Sequence, residues 1–263
     1  MLFELVKTIL MKKLFPILAI PVISAIMFTS CRDDEPVEIS TPGKVEFEFE
    51  YVWAAGEAPF ALNKALFHMR TGDTLTFQAF KNYVSNIALK KDDGTYWTAS
   101  DSYHLIDAAD ESSMKVMFTD VPAGTYTGVQ LVVGVDSAAN ANGPGMGDLS
   151  QDKNMFWDNT QGYIMIKAAG TSPQSNSGMF AYHLGGYTRD FKTQLQRDLI
   201  IPGEATISVN GNTSKVKVRL NPARLFHSYG SVTNGDSITA PGENAFTMAS
   251  MFNTWVKIHE ISN

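Results

Sequence analysis

Val45-Glu46-Phe47-Glu48-Phe49-Glu50-Tyr51 alternates apolar and charged residues without a break. A period of two puts every apolar side chain on one face, so the pattern predicts a strand with one buried and one solvated surface. Residues 74–80, 83–89 and 215–220 repeat the alternation. Shorter apolar or β-branched runs predict further strands at 103–107, 115–118, 127–135, 163–168, 179–184, 205–209 and 255–261. Asp92-Asp93-Gly94, Pro122-Ala123-Gly124 and Asn210-Gly211-Asn212 are turn signals between them. Helix is expected only at 222–226 and 244–253. The sum predicts an all-β fold, an antiparallel β-sandwich of immunoglobulin-like or jelly-roll-like type with long loops and little helix. Residues 136–153, rich in Asn and Gly, read as one long loop, and such loops are usually functional or disordered.

The N-terminus breaks this pattern. Lys12 and Lys13 precede an apolar run over 14–27, and Phe28-Thr29-Ser30 leads to Cys31, the single cysteine. The run is shorter than a comfortable span of about 20 residues, and Pro16 and Pro21 interrupt it. A basic start, an apolar middle and small residues before a processing point make a secretory signal. A Cys at that point resembles a bacterial lipobox, which implies lipidation of Cys31; a plain signal anchor is the other reading. Residues 1–30 are then a signal peptide, 31–43 a flexible tether and 44–263 one domain, with the membrane a partner through the lipid. Arg32-Asp33-Asp34-Glu35 resembles the export signal of Bacteroidetes lipoproteins. The expected location is the outer membrane at the cell surface, with the periplasmic face as the alternative.

Charge and cysteine usage exclude several functions. The formal net charge is −6, and the signal segment removes more Lys than Glu. Phosphate contacts need clustered cations, so nucleic acid is not an expected partner. With Cys31 lipidated no thiol remains for disulfides, zinc–thiolate sites or nucleophilic catalysis. No G-x-S-x-G, H-E-x-x-H or P-loop occurs, and the reading is of a protein that is not an enzyme.

Three stretches in order carry a family resemblance. They are Phe80-Lys81-Asn82-Tyr83-Val84-Ser85-Asn86-Ile87-Ala88-Leu89 with Asp93-Gly94; Val121-Pro122-Ala123-Gly124-Thr125-Tyr126 running to Gly134-Val135-Asp136-Ser137; and Met155-Phe156-Trp157 with Gly162-Tyr163-Ile164 and Tyr182-His183-Leu184-Gly185-Gly186. Together with Asn221-Pro222-Ala223-Arg224-Leu225-Phe226 they resemble the MbnP-like copper-binding proteins over roughly 44–261. The resemblance implies a copper cofactor or cargo, His183 as a ligand, and Trp157 as a residue converted to kynurenine with the help of a di-haem peroxidase-like partner. The chain departs from the pattern in three ways, one being that it keeps none of the four Cys of the disulfide-rich relatives. Asn159 stands where many relatives have a second Trp, and Ala139-Asn140-Ala141 stand where many have a His.

The residues also have plainer readings. His183 could be a hydrogen-bonded structural His, and Trp157 could simply pack under the long loop. His227, opening a Ser/Gly/Asn-rich loop, is a further metal candidate. His68 reads as solvated, and His104 and His259 as strand residues at the surface. Met155, Met165, Met179, Met248 and Met251 could serve Cu(I) or fill a core. The competing function is a surface-exposed glycan- or protein-binding module without metal, using Tyr96, Trp97 and Tyr187.

Overall fold

The computed structural model describes residues 40–263 except Asp101 and Arg189. Cys31, the lipobox and the tether up to Ile39 lie outside the described residues. The strands are β1 (Gly43–Trp53), β2 (Ala58–Pro59), β3 (Ala65–Phe67), β4 (Thr74–Lys91), β5 (Tyr96–Thr98), β6 (Tyr103–Asp107), β7 (Lys115–Val121), β8 (Gly124–Val133), β9 (Ile164–Thr171), β10 (Met179–Gly185), β11 (Leu195–Ile200), β12 (Ile207–Val209), β13 (Thr213–Leu220), β14 (Ser237–Ile238) and β15 (Lys257–Ser262). The α-helices are α1 (Ser137–Asn142), α2 (Phe226–Tyr229) and α3 (Glu243–Asn253).

They form two sheets. The first runs β15-β13-β1, with β7 and β2 pairing β1 as well; the second runs β11-β8-β4-β9-β10-β14, with β3, β5, β6 and β12 added. The sandwich expectation holds, with one refinement: the sheets are mixed, because β1 pairs β13 and β10 pairs β14 in parallel. Parallel neighbours need a crossover rather than a hairpin, so short-range turn signals do not reveal them.

β1 behaves as its alternation dictates. Val45, Phe47, Phe49 and Tyr51 are buried. Glu46, Glu48 and Glu50 lie on the other face, in register with Lys215, Lys217 and Arg219 of β13. Inside, Tyr51 meets Phe80 edge-on at 4.9 Å, and Phe77 meets Phe60 and Phe180 at 5.2 Å each. Each fully buried ring of this kind is worth roughly 1.5–3 kcal/mol from area alone. The Tyr51 hydroxyl in this cluster is satisfied, since it donates to Asn82 Oδ1 at 2.6 Å.

β4 is the spine of the second sheet, joining two strands expected separately. β3, β6 and β5 pair along one edge. β9 pairs Thr76–Asn82 and β8 pairs Val84–Lys91 on the other. β9 hands over to β8 at Tyr83, whose carbonyl accepts from Gly134 N–H at 2.9 Å. The chain therefore leaves the sheet after β8 and returns at β9 beside the same residue. β11 had no sequence expectation; its Leu195-Gln196-Arg197-Asp198 offers too little apolar contrast.

Candidate functional site

Residues 134–163 make an excursion over the outer face of the second sheet. Asp136 starts it: one carboxylate oxygen caps α1 through the Ala138 and Ala139 N–H groups, and the other accepts from Asn86 at 3.0 Å and Tyr103 at 2.6 Å. Burial pushes the Asp136 pKa up, but these four donors outweigh it and hold the carboxyl below its usual value. Asn140 is fully buried. It donates to Val135 O and Asp136 O and accepts from Tyr163 N–H at 2.8 Å. The Tyr163 hydroxyl sits among Gly143 O, Leu149 O and Gly145 N–H at 2.9–3.1 Å. The long loop is thus an ordered cap built on two polar hubs, and Asn140 is spent on structure.

Trp157 lies at the end of this cap. Ile164 N–H donates to Met155 O, Phe156 bridges Tyr163, and Trp157 N–H donates to Gly162 O at 3.1 Å. Asp158 closes the tip by accepting from Thr160 and Gln161 N–H groups. This hairpin lays the indole on β10 at Gly185. A Cβ there would stand 2.5 Å from Trp157 Cζ3, so only glycine lets the ring down.

His183 lies two residues before Gly185 on β10. Strand β10 thus carries His183 and, past a register irregularity between Leu184 and Gly185, the glycine that seats Trp157, which makes this corner the candidate site. Lys167 is directly opposite His183 on β9, in a row that continues to Lys81 and Asp107. Lys81 pairs with Asp107 at 2.7 Å, and Lys167 Nζ donates to Asn154 O at 3.2 Å. Burial first, and Lys167 second, hold the His183 pKa below the usual imidazole value. The neutral, ligating form is favoured at pH 7. No hydrogen bond among the described residues reaches either ring nitrogen, so the structural-His reading has no partner here.

The other residues named from sequence go elsewhere. His227 is on α2 beside a different cavity, with Arg70 and Arg224, and is not brought to the Trp157 corner. His68 is not solvated: it is buried, with Nε2–H donating to Ala223 O and Nδ1 accepting from Thr71, because the turn before β4 folds inward under Trp53 and Phe226. His104 meets Phe118 edge-on, and His259 is exposed on β15. Met155, Met165 and Met248 are core residues, whereas Met179 is exposed. Of the three aromatics suggested for a glycan face, only Tyr96 is exposed; Trp97 packs on Phe118 and Tyr187 donates to Asn159 O.

The corner fits copper in part. His183 supplies one nitrogen lone pair, whereas an unmodified indole N–H only donates. Among the described residues no group of three or more His, Cys, Asp or Glu side chains could hold a metal ion. No described helix is long and apolar enough to cross a membrane.

A two-sheet β fold with one outer face capped by a single inter-strand excursion defines the class. Residues 42–244 match the MbnP family model, and the chain belongs to the MbnP family. Its fold is similar to that of MbnP from Methylosinus trichosporium, with a TM-score of 0.54 at 15% identity over 78% of this chain and 83% of that one. No curated protein matches the chain.

Proposed function

We propose that the protein is a lipid-anchored envelope protein that captures copper as cargo at the Trp157–His183 corner, without catalysis of its own. The observation that supports this lies on β10: His183 is unpartnered and biased to the neutral form, and two positions on Gly185 alone lets the Trp157 indole onto the strand. The copper chemistry comes from the family resemblance in the sequence. Conversion of Trp157 to kynurenine would add an aromatic amine and a carbonyl beside His183, compensating for the loop position held by Asn140. That conversion needs an external oxidant, the role proposed for a di-haem peroxidase-like partner. Lys167 would have to stay turned toward Asn154 for a cation to sit beside His183. The anchor is Cys31.

The test is a Cu(I) and Cu(II) titration against competing chelators, with the Trp157 peptide read by mass spectrometry. Protein matured in its native host should bind one copper, and His183→Ala should weaken binding by about 100-fold or more, the scale of losing a principal ligand. Stoichiometric binding unchanged in His183→Ala would sink the proposal. Release from membranes by Cys31→Ser tests the anchor separately.

A further inference from the structure

Arg70 and Arg224 flank a cavity of about 260 Å³ between the β1–β2 turn and the helical turn Pro222–Leu225. His227 adds a third basic group, and no Asp or Glu lines the space. Neither guanidinium has an ion-pair partner among the described residues. Glu57, the carboxylate that acts on Arg224 from a distance, is already engaged by Arg219 at 2.9 Å and by Lys257. The Arg224 guanidinium is also held in place: its central carbon stands 3.3 Å from the Trp255 ring centroid, a cation–π contact. The rest of the wall is the buried His68, already bonded to Thr71 and Ala223 O, and small or apolar residues, with Ala55 and the 84% exposed Met69 among them.

Two unpaired guanidiniums beside an imidazole oppose a cation and favour an anion. We propose that this cavity binds a small oxyanion group, a carboxylate or phosphate, between Arg70 and Arg224, with the ligand's apolar part against Met69. Planar guanidinium forks match both groups through paired charge-assisted hydrogen bonds. On this reading His227 serves the anion and not a metal, and the site is independent of the Trp157 corner.

Calorimetric titration of the purified protein with inorganic phosphate and with succinate, at fixed ionic strength, tests it. At least one probe should saturate with a Kd of about 1 mM or tighter. Arg70→Gln should weaken it about tenfold or more. Arg224→Lys, which keeps the charge but loses the planar fork, should do the same. Arg70 is exposed and pairs with no described residue, so Arg70→Gln decides the matter even if the Trp255 stack needs Arg224 for folding. Saturation by phosphate alone or succinate alone names the oxyanion. Saturation by neither, or binding indifferent to Arg70→Gln, overturns the proposal.

Discussion

The two sheets turn very different outer faces to their surroundings. On the first, Glu46 and Glu48 meet Lys215 at 3.3 and 3.4 Å, Lys217 meets Glu260 at 3.0 Å, and Arg219 meets Glu50. Each pair keeps at least one partly solvated partner, and such pairs contribute little. On the second, Tyr83, Asn140 and Tyr163 are fully buried, and the bonds from Tyr163 N–H to Asn140 and from the Tyr163 hydroxyl to Leu149 O are shielded from water. The first face keeps the sheet soluble and in register. The second spends buried polar groups on holding Trp157 against β10, which is what a site needs and a surface does not.

The largest effect that would break this contrast is at Tyr163. Tyr163→Phe keeps the ring contacts with Tyr83 at 5.7 Å and Phe156 at 4.9 Å. It removes the hydroxyl from Gly143 O and Leu149 O, while Gly145 N–H keeps its bond to Leu149 O. The expected cost is about 2–3 kcal/mol, because Gly143 O is left without that partner in a buried setting. Chemical denaturation would measure it, and protease sensitivity should appear first within 140–163. A cost near zero would mean water enters the cap and that it is no more a core than the first face is.

Asp136 comes next and adds a pH signature. Its carboxyl is half-buried, which raises its pKa, yet the donors from Tyr103, Ala139, Asn86 and Ala138 lower it further than burial raises it. A pKa depressed in the folded state stabilises above the unfolded value, near 3.9, and that stability is lost as pH falls through the folded value. Asp136→Asn should therefore cost about 1–2 kcal/mol at pH 7, and the gap to the parent should close below about pH 4. A gap that persists at low pH would assign the loss to geometry and not to the charge.

The same contrast explains what could be read in advance. The first face and the β1 core follow from strict alternation, a local signal over seven residues, Val45–Tyr51. The excursion offered only composition. Its hubs join residues far apart in sequence, such as Asn86 to Asp136 and Asn140 to Tyr163, and no periodicity encodes those contacts. The packing of Trp157 on β10 had one local trace, the Gly pair after His183, because Gly185 must lack a Cβ for the indole to lie there. His68 was misjudged since Thr71 and Gly72 look like a surface turn, while burial under Trp53 depends on chain brought back by Asn221 and Ala223. The Arg70–Arg224 cavity left no local trace because its two arginines are 154 positions apart.

The smallest effect belongs on the first face. Glu48→Gln removes the carboxylate facing both Lys215 and Lys115, while the residue stays in register with Lys217 and keeps its shape. Solvent and salt already screen these charges, so the melting temperature should move by less than about 2 °C. The shift should shrink further in 1 M salt, where the screening length falls to about 3 Å. If instead Glu48→Gln matched Tyr163→Phe in cost, the carboxylate row would be a cooperative network holding the parallel β1–β13 register. The first face would then have to be counted as structure on the same footing as the cap.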